Sequence, residues 1–385
     1  MLKLILTFIP IYSFAFFNTS YNASRKNFLS YETVLKKQNP RFQKGRLLVD
    51  KDLSLDYFYL PGKKKEKLII ITSGTHGPEG FAGGALQLQF LNKTMPNLDQ
   101  SKTGVLLIHA HNPWGFKNIV RGTENNVNLN RNYDLNASLF QTKNESYEKI
   151  KHLLELDGKA KSFSFPFVPL VGEMLFSKGV TLQSLTEAIG KGQYTSNKGI
   201  NFGGRRFEPQ VLFLTDLLNK VTPQYSHIFN IDLHTGLGEK GVLHIMSKEN
   251  MNQKSHATFK RIFLDREKEF YSHTPPGAKG FYEIKGDYSK LVSLINPQKE
   301  KVIINITAEF GTVGKGLYGK VKTINALILE NQGRFNGYKT VEDEKKIKKD
   351  YKEVFYPNDS DWEKDVLTKG HFLLDTVVKR FIKSE

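Results

Sequence analysis

The stretch TSGTHGPEG, residues 72–80, follows directly on the apolar run KLIII and places His76 and Glu79 three residues apart between glycines. An imidazole nitrogen and a carboxylate oxygen are both good zinc ligands, with bond lengths of about 2.0–2.2 Å. If the apolar run is a strand and a helix begins after Glu79, both side chains can point at one spot above the sheet edge. A catalytic zinc ion usually has three protein ligands and one position open to water, so we expect a third ligand from another part of the chain.

A second apolar stretch, FNIDLHTGLG, contains His234 followed by Thr and Gly, which repeats the pattern around His76. His234 is therefore the expected third ligand. Asp232 lies two residues earlier, on the same face if the stretch is a strand. Its carboxylate could orient a metal-binding histidine, or it could cap a nearby helix or turn.

A third stretch, INITAEFGTVG, offers Glu309 at the end of an apolar run. A carboxylate at the rim of a metal site is well placed as a general base, which takes a proton from metal-activated water and passes it to the leaving group. A surface glutamate is the alternative interpretation. The hydrophobic residues before Glu309 and the Gly311 after it favour the catalytic interpretation.

The loop HNPWGFKNIVRGTENNVNLNRNYD, residues 111–134, is dense in Asn and Arg and has almost no regular periodicity. Such a loop is costly to order unless its polar groups find partners. Arg121 and Arg131 could meet two negative charges: the oxyanion that develops as water attacks a carbonyl, and a substrate carboxylate held by the guanidinium fork. Asn130 could share that carboxylate.

Four motifs in this order, HGPEG, NLNRN, DLHTG and AEFGT, resemble the carboxypeptidase A-like zinc carboxypeptidase superfamily, which also contains succinylglutamate desuccinylase and aspartoacylase. The longer phrase beginning NPWGF is closest to a bacterial, largely uncharacterised branch. The resemblance covers roughly residues 45–335. It implies a three-layer α/β/α sandwich with a mixed, mostly parallel eight-stranded sheet.

The resemblance also implies one zinc ion held by His76, Glu79 and His234, with Glu309 as general base and then acid. One position departs from the branch's usual VDLNRNF: this chain reads VNLNRNY, with Asn128 where an Asp is typical. We interpret this position as structural.

For the substrate, the resemblance implies that Arg121 helps to stabilise the oxyanion and that Asn130 and Arg131 bind a terminal carboxylate. Peptidases of the superfamily also have a tyrosine that caps the substrate. Tyr282 and Tyr288, in GFYEIKGDYSK, are the candidates for it.

The elements that must position these residues can be predicted from periodicity. Short apolar runs typical of strands occupy residues 47–60, 67–72, 104–111, 227–234, 241–246 and 301–310. Apolar spacing of three and four, typical of helices, occupies residues 79–94, 145–159, 205–221 and 252–273. Alternation of the two predicts an α/β domain, in which ligands bind at the carboxyl ends of the strands.

The N-terminus predicts export. Residues 1–17 have one early lysine and an apolar stretch. Ser13 and Ala15 are small residues at the two positions that signal peptidase recognises. We therefore expect a signal peptide and a periplasmic or secreted protein. An uncleaved membrane anchor or a buried first helix is the alternative, although the run is short for a membrane span.

The remaining boundaries follow from composition. Residues 18–44 are predicted to be an N-terminal extension, and residues 45–335 the catalytic domain. Within that domain, 158–205 is rich in Gly, Ser and Pro and is interpreted as an excursion from the sheet with a helix of its own. The charged tail, residues 336–385, has helical periodicity near its end and is expected to pack on the domain.

Composition excludes several classes of site. The chain has no cysteine, so disulfides and thiolate metal sites are excluded. The formal net charge is +17, but the lysines are scattered and no zinc finger or RNA-binding signature is present, so we do not expect nucleic acid as a partner. His109 and His111 are more typical of a hydrogen-bonded pair than of a second metal site.

Taken together, the sequence predicts an exported zinc hydrolase that cleaves an amide bond next to a free carboxylate, in a peptide or a peptide-like molecule. An N-acyl-amino-acid deacylase carries the same residues and remains the alternative, although export favours a peptidase. An inactive hydrolase fold that binds an anionic cell wall or membrane is a third possibility. The sequence does not predict the oligomeric state.

Overall fold

Eight strands were found in the computed structural model, which describes residues 16–176, 181–247, 251–274, 284–297, 300–314 and 316–384. They are β1 (Gln43–Asp50), β2 (Leu53–Leu60), β3 (Lys67–Ser73), β4 (Thr103–His109), β5 (His227–Gly236), β6 (Leu243–Met246), β7 (Tyr271–Thr274) and β8 (Val302–Gly311).

Fourteen α-helices lie in the same described ranges. They are α1 (Tyr21–Leu29), α2 (Glu32–Gln38), α3 (Gly80–Gln89), α4 (Pro113–Asn118), α5 (Glu145–Leu154), α6 (Phe167–Phe176), α7 (Leu182–Lys191), α8 (Pro209–Val221), α9 (Gln253–Ile262), α10 (Tyr288–Ile295), α11 (Leu317–Asn336), α12 (Val341–Phe355), α13 (Ser360–His371) and α14 (Val378–Lys383).

The strands form one mixed sheet in the order β1-β2-β4-β3-β5-β8-β6-β7. Its centre is parallel: β3 pairs in parallel with β4 and β5, and β5 pairs in parallel with β8. The predicted α/β fold with a mostly parallel eight-stranded sheet is confirmed. The carboxyl ends of these four central strands therefore meet at one edge, where polar side chains can converge.

The sheet is covered on both faces, which explains the unbroken apolar run of β3. Leu68 and Ile70 point to one face and pack with residues of α8 and α10. Ile69 and Ile71 point to the other and pack with residues of α3, α9, α13 and α14. A strand with helices on both sides has no polar face, so it reads as a continuous hydrophobic segment.

A smaller apolar cluster lies outside these two layers. It contains Tyr147 of α5, Leu170 of α6, Leu185 of α7 and Ile324 of α11, all buried. The excursion at 158–205 therefore contains two helices, α6 and α7, where the sequence analysis expected one.

Two further elements differ from the prediction. The run 47–60 is a hairpin, with β1 and β2 antiparallel on either side of a turn at residues 51–52. The helix predicted at 252–273 ends at Ile262, and its last part is the edge strand β7, parallel to β6. The strand is favoured there because it buries Tyr271 in the core, which local periodicity does not reveal.

Segments at both ends of the chain pack on the sheet. Phe28 of α1 and Trp362 of α13 belong to the same buried cluster as β3. The indole nitrogen of Trp362 donates to the carbonyl of Gly311 at 2.7 Å. Among the described residues, none of the helices combines the length and the apolar character needed to cross a membrane. Most of the predicted signal peptide, residues 1–15, lies outside the described part of the chain.

Candidate metal centre

His76, Glu79 and His234 meet at the carboxyl edge of the sheet. The Nδ1 atom of His76 lies 2.8 Å from Oε1 of Glu79, and Nδ1 of His234 lies 2.7 Å from Oε2 of the same carboxylate. The three candidate ligand atoms lie within 4.8 Å of one another. All three side chains are buried. The group is able to hold a metal ion, and it is the one such group among the described residues.

The turn after β3 needs its glycines. Gly74 has φ +69°, a left-handed conformation that glycine adopts without strain. A Cβ on Gly77 would lie 2.0 Å from the backbone carbon of Gly115 in α4, so only glycine fits there. The chain then forms a 3-10 turn over Gly77–Glu79, in which the amide of Glu79 donates to the carbonyl of His76. This turn folds the carboxylate back under the imidazole.

Each imidazole is oriented by an oxygen on its far side. Nε2 of His76 lies 3.0 Å from Oδ1 of Asn128, and Nε2 of His234 lies 2.6 Å from Oδ2 of Asp232. Such an acceptor holds a proton on Nε2, which directs the lone pair of Nδ1 towards the carboxylate of Glu79. Two lone pairs that converge on a carboxylate require a cation between them, either a proton or a metal ion.

The carboxylates of Asp232 and Glu79 make the centre favourable for a cation. Burial alone would lower the pKa of His234, but the carboxylates of Asp232 and Glu79 raise it well above the ordinary value. Burial, together with the nearby Arg121, lowers the pKa of His76 to about 4. His76 is thus neutral at pH 7, as a metal ligand must be.

Glu309 lies beside this group. It occupies β8 at the position paired with His234 of β5, and its Oε1 accepts a hydrogen bond from the amide of Leu237 at 2.8 Å. Burial and the neighbouring Glu79 raise the pKa of Glu309 to about 7. A group with such a pKa can both accept and return a proton near neutral pH.

Arg121 reaches the same centre from the loop after β4. Its Nη1 donates to Oε1 of Glu79 at 3.1 Å, and its Nε donates to Oδ1 of Asn201 at 3.1 Å. The guanidinium lies 5.6 Å from the centroid of the Phe355 ring. Among the described residues its Nη2 atom has no hydrogen-bond partner, so the two N–H groups of Nη2 remain for another molecule.

Asn130 and Arg131 are engaged elsewhere. Arg131 donates from Nε to the carbonyl of Lys191 at 3.1 Å, from Nη1 to that of Asn130 at 2.6 Å, and from Nη2 to that of Gly190. Oδ1 of Asn130 accepts from the backbone amide of Tyr288 at 2.9 Å. These contacts hold both side chains against the backbone. They do not place the guanidinium of Arg131 in contact with His76, Glu79 or His234.

Tyr288 lies below the centre. It is fully buried, and its ring packs at 4.7 Å from the His111 ring and 5.1 Å from the Tyr133 ring. In this position its side chain supports the loop and is not exposed to a ligand. The other capping candidate, Tyr282, lies outside the described residues.

Periodicity and spacing did not identify every residue around the centre. A small cleft of about 30 Å³ begins at Arg121 and Asn128, which contact Glu79 and His76, and Asn201 and Arg334 also line it. Asn128 has a signal in the sequence, namely its place in the NLNRN motif. Asn201 and Arg334 follow no motif, so only the fold shows where they lie.

A family model described as "Protein of unknown function (DUF2817)" matches residues 17–369. No curated protein matches the sequence. Solved structures with a similar fold include bovine thrombin-activatable fibrinolysis inhibitor, with 13% identity, a TM-score of 0.45 and coverage of 88% of this chain and 96% of that one. Carboxypeptidase A from Helicoverpa armigera is 12% identical, with a TM-score of 0.42 and coverage of 86% and 73%.

A metallo-carboxypeptidase from Burkholderia cenocepacia is 12% identical, with a TM-score of 0.39 and coverage of 78% of this chain and 66% of that one. These neighbours have the metallocarboxypeptidase fold that the motifs predicted. The activity of the chain has to be inferred from the residues of the centre.

Proposed function

We propose that this chain, which belongs to the DUF2817 family, is a zinc-dependent hydrolase that cleaves an amide bond next to a free carboxylate. One observation carries the proposal. Both imidazoles have an oxygen acceptor at Nε2, so both Nδ1 atoms face the carboxylate of Glu79, and Glu309 lies alongside.

The donor set favours zinc. Two imidazole nitrogens and one carboxylate oxygen, with room for water, are typical of catalytic zinc sites, and the chain has no cysteine to form a structural thiolate site. His76, Glu79 and His234 would hold one ion. When bound, zinc lowers the pKa of water to about 7 and polarises a carbonyl, which makes attack on an amide feasible at neutral pH.

The protein's own groups would move the proton and stabilise charge. Glu309 accepts a proton from the attacking water on its carboxylate and returns it to the leaving nitrogen. Arg121 donates from Nη2 to the oxyanion that forms at the carbonyl. Because the carboxylate of Glu79 and both imidazoles are buried, these interactions act in a low dielectric and are strong.

The physiological setting is part of the same proposal. We infer that residues 1–17 are a signal peptide and that the exported protein acts on peptides outside the cytoplasm. Mass spectrometry of the mature N-terminus tests this, because an intact Met1 in the purified protein would contradict it. We also infer that residues 45–335 form the catalytic domain, with 18–44 and 336–385 packed on it, which the shared core of Phe28 and Trp362 supports.

Metal analysis and one substitution test the function. The purified protein should contain one zinc ion per chain. Glu309→Gln should keep the zinc and lose turnover by about 10²–10⁴-fold, because it removes the proton acceptor while preserving shape. Glu342→Gln, at an exposed position of α12, serves as the control.

A panel of peptides with free C-termini, the same peptides with amidated C-termini, and N-acyl amino acids identifies the substrate. Cleavage of free peptides alone indicates a peptidase, and cleavage of N-acyl amino acids alone indicates a deacylase. Turnover by Glu309→Gln at the wild-type rate, or a folded protein without bound zinc, would overturn the proposed function.

A further inference from the structure

The cleft beside the metal centre is lined by groups that suit an anion. Arg121 and Asn128 stand at its inner end, in contact with Glu79 and His76. Its outer part is formed by α11, which contributes Glu330, Asn331 and Arg334. A ligand in the cleft would therefore lie between two guanidinium groups and next to the metal centre.

Arg334 is the unusual member of this cleft. Its Nη1 donates to Oδ1 of Asn126 at 2.9 Å, its Nη2 donates to the carbonyl of Thr123 at 2.8 Å, and its guanidinium stacks 5.0 Å from the Trp114 ring. Neutral groups thus fix its orientation. No carboxylate of the described residues lies within 4.0 Å of it.

Two other partly buried arginines of the chain have such a partner. Arg25 pairs with Asp56 at 2.7 Å, and Arg380 pairs with Glu267 at 2.6 Å. Burial lowers the pKa of Arg334, and the more distant carboxylates of Glu330 and Glu124 offset this only in part. Burying a cation with no carboxylate in direct contact is costly. A guanidinium held rigidly in a cleft without a counter-ion is what an anion-binding site requires.

The one carboxylate that lines the cleft is already neutralised. Oε1 of Glu330 lies 2.9 Å from Nζ of Lys348. At the inner end, Arg121 pairs with Glu79, whose charge a bound metal ion would share. The amides of Asn126, Asn128 and Asn201 add further polar groups. The cleft therefore has an excess of positive charge.

We propose that this cleft binds the carboxylate of the substrate, with Arg334 as the residue that determines the preference for an acid. The inference rests on the proposed function, and it names the group that selects the substrate. It also gives the substrate carboxylate a partner other than Arg131. The guanidinium of Arg131 is occupied by three backbone carbonyls and does not line the cleft.

A pair of matched ligands tests the cleft without any substitution. Calorimetric titration of the zinc-loaded protein with N-acetylglycine and with N-acetylglycinamide compares a carboxylate with an uncharged group of the same shape. The acid should bind about 10–100-fold more tightly, since a hydrogen bond to a charged group contributes about 1.5–3 kcal/mol. Equal affinity for the two ligands would overturn the inference.

Substitution then assigns the preference to a residue. Arg334→Met should reduce the preference to less than about threefold, whereas Arg205→Met, at an exposed position, should retain it. Zinc content and thermal unfolding show whether Arg334→Met is folded. If it is not, the comparison of the two ligands with the wild-type protein decides whether an acid is preferred. A folded Arg334→Met that still prefers the acid by the wild-type factor would exclude Arg334.

The two proposals fail separately. An acid preference in a protein without turnover would contradict the hydrolase function and leave the anion site standing. Turnover with equal binding of acid and amide would contradict the anion site and leave the hydrolase function standing.

Discussion

The amide oxygen of Asn128 lies 3.0 Å from Nε2 of His76, so one of the two histidines that face Glu79 is oriented by a neutral acceptor. The other, His234, is oriented by the carboxylate of Asp232 at 2.6 Å. A carboxylate raises the basicity of a ligating imidazole more than an amide does. We therefore infer that His76 is the weaker of the two imidazole ligands and depends on Asn128 for its orientation.

The first prediction concerns this orienting contact. Asn128→Ala should weaken zinc binding by about 10–100-fold, because the imidazole of His76 loses its acceptor and its fixed tautomer. Competition with a chelator of known affinity measures the change. Asn118→Ala, which removes an exposed amide of α4, should bind zinc like the wild type. Wild-type affinity in Asn128→Ala would show that Asn128 does not orient the ligand.

The second prediction concerns the C-terminal helices. The side chain of Trp362 is buried and donates to the carbonyl of Gly311, two residues after Glu309. Trp362→Ala should lower the free energy of unfolding by about 3–5 kcal/mol, because it leaves a large cavity under the end of β8. Chemical denaturation measures it.

The matched control is Phe163→Ala, whose side chain is 80% exposed and which should change the free energy of unfolding by less than about 0.5 kcal/mol. If Trp362→Ala is as stable as the wild type, the C-terminal segment is not part of the core, and the catalytic domain ends before it.

Much of this centre could be predicted because its signals are local. An apolar run followed by Gly and His identifies a buried strand that ends in a polar turn, and this pattern holds for β3 and β5. Parallel strands place such turns at one edge, so His76, Glu79 and His234 could be expected together. The number of strands, in contrast, followed from the resemblance, and the edge strand β7 was missed because its four residues continue the spacing of α9.

The contacts of Arg131 and Arg334 could not be predicted, because both depend on packing between distant segments. The carbonyl partners of Arg131 at positions 190 and 191 belong to the end of α7, whose place is fixed by the small cluster that α5, α6, α7 and α11 share. Arg334 meets the loop of Asn126 only after α11 has packed beside it. Side-chain type alone therefore suggests a binding role for both arginines, and the fold distinguishes them.

The third prediction is a dependence of stability on pH. Both Nη atoms of Arg380 donate to the carboxylate of Glu267, each at 2.6 Å, and this contact lowers the pKa of Glu267. A carboxylate whose pKa is lowered by folding adds stability above its unfolded pKa of about 4.3 and loses it as the pH falls through the folded value. The pair is partly exposed, so the contribution is about 0.5–1 kcal/mol.

Arg380→Gln should therefore be less stable than the wild type at pH 7, and the difference should disappear between about pH 5 and pH 3 as Glu267 is protonated. Denaturation at a series of pH values measures it. Lys220→Gln, which removes an exposed pair with Asp216, should show a smaller difference. A difference that stays constant down to pH 3 would mean that Arg380 stabilises α14 through packing and not through charge.

The last prediction separates two roles for Arg131. Its guanidinium bridges the carbonyls of Gly190 and Lys191 at the end of α7, and a lysine ammonium is a point donor that cannot span both. Arg131→Lys should therefore loosen the last turn of α7 and leave zinc binding unchanged. Amide hydrogen exchange in residues 182–193 should become about 10–100-fold faster, since the bridge contributes about 1.5–3 kcal/mol. Arg205→Lys, at an exposed position, should not change it.

The opposite result would assign Arg131 to substrate binding. If Arg131→Lys leaves hydrogen exchange unchanged but raises KM for substrates with a free carboxylate, Arg131 contacts the substrate as its place in the NLNRN motif predicts. In that case the end of α7 must release the guanidinium when substrate binds, and Arg334 would not be the main determinant of acid preference. Faster exchange with an unchanged KM makes Arg131 an anchor for the excursion at 158–205, and the selection of the carboxylate is then left to the cleft.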